Sequence, residues 1–375
     1  MISSPPNGSA KPPFSHFGTG RGPETPQLGR DVLIFFEDRD RDTFVAGDRR
    51  LRRKLRKTVG LFRPHKQRVT GFEVSFNLLR RALERAGQTV HVNDFRLARR
   101  HPHFPVTVCG YTHILDRWDL PNPAVLGPGL YDHPKQSPQL MQDPRFRSYL
   151  MLCGWMKDMF ATIYDPSGLR MWFGGIDLAE WPDTSDQTKD VDVLVYDKIR
   201  WRREHYEPNL LVPVLDELSR RGLRFEVLRY GRYIHEAYRK MLARSRSMVF
   251  LCENETQGMA YQEAMASNVP ILAWDQGYWL DPNRAKWTDQ PVPATSVPYF
   301  SENCGDRFVD IEAFSGMLDH FWDRLESYTP RKYVAKCLSF HESAELFLEA
   351  YYHAAGAPPR VRLDAARDAV AGIPH

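Results

Sequence analysis

Short unbroken runs of apolar residues alternate along this chain with longer stretches whose apolar positions recur at helical spacing. The run Val32-Leu33-Ile34-Phe35-Phe36 follows Asp31 and predicts a strand buried on both faces. After a long polar interval, Phe72, Phe76, Leu79 and Leu83 fall on one helical stripe. Gly87 stands where a helix C-cap is expected, and Thr89-Val90-His91-Val92 reads as the next strand. Strand, glycine-bearing loop, helix and strand make an α/β crossover unit. Further on, 106–109 and 123–126 are short apolar runs bounded by Pro and Gly, 147–164 predicts a helix, and 169–173 an extended segment. A second series begins after a polar connection at 174–190. It predicts strands at 191–196, 224–228, 248–252 and 271–274, with helices at 210–221, 234–244 and 259–266. A last helical run covers 339–355. Strands this short and unalternating, separated by helices, imply parallel sheets covered on both faces. Two such halves enclose a cleft between the carboxyl edges of their sheets.

The chain has 375 residues, comfortable for two domains, and its 42% hydrophobic and 26% charged residues suit packed cores. Lys plus Arg number 51 against 47 acidic residues, a formal charge of +4, too mild to imply a nucleic-acid partner. The five cysteines are scattered with no CxxC pair, which argues against a zinc knuckle or a disulfide framework and for a reducing compartment. Residues 1–29 are rich in Pro, Gly and Ser without a signal-peptide core, so a disordered leader is expected, and 357–375 is expected to be a flexible tail. The strongest apolar stretch, 149–156, ends at Lys157 and Asp158, far short of a membrane span. A cytoplasmic enzyme is the expectation. One cluster stands out: Arg49, Arg50, Arg52, Arg53, Lys54, Arg56 and Lys57, with Leu51, Leu55 and Val59 interleaved. On a helix the three apolar residues form a stripe suited to an anionic membrane surface or a polyanionic acceptor; the alternative is a solvated charged loop. The segment lacks the aromatic interleaving of a single-strand nucleic-acid channel, and no nucleic-acid partner is expected.

The most informative chemistry lies at 250–273. A buried strand ends in a loop carrying Glu255, and a helix then starts near Gly258 with Glu263 just over one turn inside. A helix start offers free amides and a positive dipole end, here at Gly258, Met259 and Ala260, and so can cradle a diphosphate. Gly258 lets a ligand approach the backbone closely. Glu263 is placed to accept hydrogen bonds from ribose hydroxyls, and Glu255 to hold the hydroxyls of a sugar attached to the diphosphate.

This segment resembles the E-x7-E signature of retaining glycosyltransferases with the GT-B fold, in the large family numbered four. The pattern is matched at Glu255, Gly258, Glu263, Ala264, Met265, Ala266 and Pro270, with Asn268 where the family usually has Gly. That position ends a helix in a left-handed conformation, for which Asn is the next best residue. Gly175-Ile176-Asp177 with Trp181-Pro182 looks like the family's linker between domains, Gly305 lies in a similar later loop, and 339–356 looks like its returning terminal helix. The family commonly offers an Arg and a Lys, five residues apart, to the departing diphosphate. Lys198 and Arg203 have that spacing, with Arg200 and Arg202 between them. Gly71 is similar to the glycine loop that approaches donor and acceptor, and His113 lies where the family often places a His near the sugar.

The resemblance implies an α/β GT-B fold, two Rossmann-like doubly wound domains facing a central cleft. The expected divisions are an acceptor domain at 30–175, a linker at 176–190, a donor domain at 191–338 and a crossover helix at 339–356. It implies retaining, hexosyl-type transfer from a nucleotide-diphosphate sugar to an acceptor hydroxyl of a glycan, lipid or small molecule, in polysaccharide or glycoconjugate biosynthesis. Glu255, Lys198 and His113 would be catalytic, and Arg203, Gly258, Met259, Ala260, Glu263 and Gly71 would bind the donor. No cofactor and no metal is expected: Asp38-Arg39-Asp40 has the form of a metal motif but follows the first strand of a fold that normally needs none. A sugar-nucleotide epimerase of the same fold, a phosphorylase or hydrolase, and a non-catalytic, membrane-docked subunit are the alternatives.

Overall fold

Residues 25–38 and 70–357 are described by the computed structural model. The expectations for the leader up to residue 24, Arg39, Asp40, the basic segment 49–57 and the tail from 358 onward lie outside them. Within them, β1 (Asp31–Glu37), β2 (Thr89–Val92), β3 (Val106–Tyr111), β4 (Ala124–Leu130), β5 (Phe146–Met151) and β6 (Leu169–Met171) form one sheet, ordered β2-β1-β3-β4-β5-β6. A second sheet, β11-β10-β9-β7-β8, is built from β7 (Val191–Lys198), β8 (Phe225–Arg229), β9 (Ser245–Cys252), β10 (Ile271–Trp274) and β11 (Gly305–Phe308). Every pairing in both sheets is parallel.

Alternation along the buried strands sends side chains to both faces. In the second sheet, Val193, Val195, Val249 and Leu251 pack against Val214 and Leu218 of helix Val212–Arg220 and Phe314 and Leu318 of helix Ile311–Asp323. Their neighbours Leu194, Tyr196, Met248 and Phe250 pack on the other face, with Tyr238 and Leu242 of helix His235–Arg244 and Tyr261 and Met265 of helix Met259–Ala266. Full burial of each such side chain contributes about 1.5–3 kcal/mol, which is why the strands read as continuous apolar runs.

The strand order positions the site. β7 lies between β8 and β9, so the chain leaves β7 and β9 toward opposite faces and opens a crevice at their carboxyl ends. The same arrangement recurs at β1 and β3. Helix Phe340–Ala354 starts under the Ser339 cap, beside a parallel bridge from Ser339 to Ile176, and packs Phe347, Leu348 and Tyr351 against Val32, Ile34 and Leu79 of the first domain. The Tyr351 hydroxyl accepts from Leu33 N at 2.9 Å and donates to Pro105 O at 2.5 Å.

Two sequence expectations need correction. The helix predicted over 147–164 is strand β5 followed by the shorter helix Gly154–Ala161. The run Tyr149-Leu150-Met151 is buried throughout, so its apolar residues satisfy either period. The helix predicted over 210–221 is preceded by the helical turn Arg203–Tyr206 and a wide π turn Glu207–Leu211, and its regular part is Val212–Arg220. Pro213, which has no N–H for the turn before it, stands at the join. Among the described residues, no helix is long and apolar enough to cross a membrane.

Candidate functional site

Lys198 ends β7 directly opposite Cys252, the last residue of β9. Alternation puts it on the same face as Leu194 and Tyr196. Three residues beyond Cys252, Glu255 returns to meet it: Lys198 Nζ and Glu255 Oε1 form an ion pair whose side chains are 11% and 10% exposed. The Cys252 thiol donates to the same carboxylate oxygen at 3.2 Å, and the Tyr230 ring lies 4.6 Å from the ammonium. Burial, the largest influence, pulls the lysine toward neutrality, but the Glu255 charge, its hydrogen bond and the Cys252 sulfur together hold Lys198 above the usual lysine range. Burial likewise pushes Glu255 up, and Lys198 and Arg200 together bring it below the usual carboxylate range. Both groups are therefore charged.

Arg200 is the second cation here. Its backbone N–H and that of Trp201 donate to Glu253 Oε1 at 2.7 and 2.8 Å, and its guanidinium donates to Asn254 O at 2.5 Å while lying 4.2 Å over the Trp201 ring. Glu253, fully buried, thus staples the loop after β7 to the loop after β9. Arg203, expected beside Lys198, is engaged elsewhere. It donates to both oxygens of buried Asp197 at 2.9 and 2.7 Å and to Glu207 at 2.7 Å. Asp197 and Lys198 are successive strand residues and face opposite sides of the sheet, which separates a pair that linear spacing had joined.

Gly258 opens helix Met259–Ala266 with φ +81°, and a Cβ there would collide with the Tyr261 ring. Only glycine fits. Gly258 supplies no capping side chain, so the first-turn amides of Met259 and Ala260 face outward from the helix end. Tyr238 fixes the turn by donating to Ala260 O at 2.5 Å. Glu263 lies mostly buried one turn further on, 3.5 Å from His235 Nε2. Burial raises its pKa despite the opposing pull of His235, and its carboxylate in turn raises that of His235.

The first domain grips this loop. Trp155, at the start of helix Gly154–Ala161, donates its indole N–H to Glu255 O at 2.8 Å. The Gln257 amide pairs with the backbone of Gly174, donating to its O at 2.6 Å and accepting from its N at 2.9 Å. A segment after β10 also packs on this loop and on the first domain: Thr295 O accepts from Glu255 N at 3.0 Å, and Trp279 and Trp287 lie parallel to His133. None of these partners was legible in the sequence, since each is distant along the chain and carries no motif.

His113 sits in the 3-10 turn Thr112–Arg117 at the carboxyl end of β3, its ring 6.2 Å from Tyr111. Tyr111 meets Phe72 edge-on at 4.9 Å, beside Gly71 at the start of helix Gly71–Arg85. His113 and Gly71 are thus linked through the Tyr111 and Phe72 rings, on the first domain's side. A Cβ on Gly71 would meet nothing within 4 Å, so the fold itself does not demand glycine there. Among the described residues, no group of three or more His, Cys, Asp or Glu side chains is placed to hold a metal.

No protein-family model and no curated protein sequence matches this chain. Solved structures do. The lipopolysaccharide outer core galactosyltransferase WaaB in its apo form superposes with a TM-score of 0.50 at 10% identity, covering 86% of this chain and 99% of that one. Sucrose-phosphate synthase from Thermosynechococcus elongatus gives 0.48 at 11% identity, covering 84% and 96%. TarM gives 0.49 at 10% identity, covering 68% of this chain, which spans only 56% of the TarM chain. Two parallel, doubly wound sheets, a crevice at their carboxyl edges, a last helix returning to the first domain and the WaaB superposition together make this a GT-B fold.

Proposed function

We propose that this protein is a retaining glycosyltransferase that moves a sugar from a nucleoside-diphosphate donor to an acceptor hydroxyl on a glycan, lipid or small molecule. The observation that carries the reading is the buried, charged Lys198–Glu255 pair at the β7/β9 crevice, beside a glycine-led helix start. In this reading the diphosphate rests on the amides at Gly258, Met259 and Ala260. Lys198 and Arg200 meet the charge that grows as the glycosidic bond breaks. Arg200 takes the place that spacing had given to Arg203. Glu263 receives the ribose hydroxyls, Glu255 the hydroxyls of the donor sugar, and His113 and Gly71 line the opposite wall. The acceptor oxygen bonds to the anomeric carbon on the face the diphosphate leaves, and the acceptor proton passes to the departing phosphate oxygen. The charge balance in this scheme comes from protein groups, with no metal assigned a role.

The fold shared with a galactosyltransferase supports the reading, and the same-fold epimerase is distinguished by turnover without an acceptor. The test is a panel of nucleoside-diphosphate sugars assayed for nucleotide release with and without acceptor sugars. Acceptor-dependent release is expected, with Lys198→Ala and Glu255→Gln each lowering kcat/KM by about 100-fold or more. Unchanged turnover in both variants would defeat the site assignment. NMR of the product reads retention directly: an anomeric configuration opposite to the donor's rules it out. The proposal places the enzyme in the cytoplasm, touching an anionic membrane face through residues 49–57. Liposome binding that survives neutralisation of those cations would remove that contact.

A further inference from the structure

We infer that His235 is a positioning residue for nucleotide binding: its contact holds the Glu263 carboxylate turned to receive a vicinal diol. The inference rests on the glycosyltransferase reading, in which Glu263 takes the ribose hydroxyls, and deepens it by naming what governs that contact.

His235 is the first residue of helix His235–Arg244, and the preceding Ile234 offers no capping side chain. A protonated imidazole at this end of a helix meets the positive pole of the dipole and is disfavoured unless an anion answers it. Glu263 answers it, with Oε1 3.5 Å from Nε2. The ring, 58% exposed, packs edge-on against Trp181 at 5.1 Å on its inner side, and Trp181 is itself buried in the segment between the domains. The charged groups around the imidazole are Glu263 from helix Met259–Ala266, Glu180 from the interdomain segment, and Arg239 on its own helix, which lies over the Trp181 ring at 5.1 Å. The hydrogen bond to Glu263, the largest cause, together with the Glu263 and Glu180 charges outweighs burial and Arg239, and His235 titrates above the ordinary imidazole range.

The consequence falls on Glu263. Burial pushes this carboxyl toward its protonated form, and a protonated carboxyl offers a donor where ribose hydroxyls need acceptors. An ionised carboxylate has about four lone-pair positions. His235 engages one oxygen and leaves the other to the diol, and the side chain keeps 11% exposure. When His235 loses its proton, both the charge that favours ionised Glu263 and the contact that orients it weaken.

The test is calorimetric titration with UDP, GDP and ADP from about pH 6 to pH 8.5, with a 2′,3′-dideoxy analogue of whichever nucleotide binds. Wild type is expected to bind a ribonucleotide and to lose affinity as pH rises. His235→Asn is expected to bind about tenfold more weakly at the acid end, with that difference shrinking at the alkaline end. The nucleotide's own phosphate titration is common to both proteins and cancels in their ratio. His235→Lys, which keeps a cation throughout, is expected to restore affinity and to remove the pH dependence of that ratio. The dideoxy analogue is expected to bind wild type and His235→Asn alike. In turnover the His235→Asn effect appears in KM for the donor and not in kcat. If wild type binds nucleotide, Glu263→Gln weakens it, and His235→Asn matches wild type at every pH, the inference is overturned and the glycosyltransferase reading stands. If wild type binds no nucleoside diphosphate at any pH, both fall.

Discussion

Glu255 and Glu263, eight residues apart, are both carboxylates in nearly dry surroundings, yet their pKa values move in opposite directions. Glu255 is held below the usual range because Lys198 and Arg200 outweigh burial. Its contribution to stability is present above the ordinary carboxylate pKa and is lost as pH falls through the lowered folded value. Lys198, raised, contributes below the ordinary lysine pKa and loses its contribution only as pH climbs through the higher folded value. The pair is therefore charged and pH-insensitive across the neutral range. Glu263 is raised by burial, so its ionisation at neutral pH works against folding: its stabilising contribution is present at low pH and disappears as pH rises through the raised value. Glu263→Gln is accordingly expected to melt no lower than wild type at neutral pH, whereas Glu255→Gln, which leaves a buried lysine uncompensated, is expected to lose about 3 kcal/mol. Thermal or urea melts of the two variants side by side check this contrast; equal destabilisation would contradict it.

At the scale of elements, the strand–loop–helix around Glu255 and Gly258 was legible because everything that defines it is local: an apolar run, a glycine forced by φ +81°, and a buried helix ended by Asn268 at φ +62°. What Asn268 does beyond accepting that conformation was not legible. Its amide donates to Ser185 Oγ at 2.8 Å and its carbonyl oxygen accepts from Arg331 N at 3.2 Å, joining three separate segments. Asn268→Gly, toward the residue the resemblance favours, relieves backbone strain but removes both bonds. A net loss of about 1 kcal/mol is expected in a denaturant titration; a gain would show that the strain term dominates. The engagement of Arg203 with Asp197 has an equally physical cause. Spacing along the sequence does not say which face of β7 a residue leaves from, and the Asp197 partner that claims Arg203 becomes visible only with the strand in place. Strand β11, Gly-Asp-Arg-Phe, escaped prediction because four residues with two charges carry no apolar run. Tyr149 to Met151 misled for the opposite reason, being apolar at every position.

Across the whole molecule, one apolar cluster runs from the first sheet through Phe173, Ile176 and Trp181 into the second, and helix Phe340–Ala354 returns from the second domain to the first. The loop bearing Glu255 and Gln257 lies within this union: Trp155 and Gly174, from the first domain and its exit, hold it by three hydrogen bonds. Two α/β halves were foreseeable from strand and helix rhythm, but this grip was not, because its donors and acceptors lie some 80 to 100 residues away and two of them are backbone groups. The grip makes the site a property of the assembled molecule. The most direct test is a crystal structure with a bound nucleoside diphosphate. Phosphates are expected on the amides at Gly258 to Ala260 with Lys198 and Arg200 beside them, and the ribose on Glu263; nucleotide density at another place, with that corner filled by protein side chains, would refute the site.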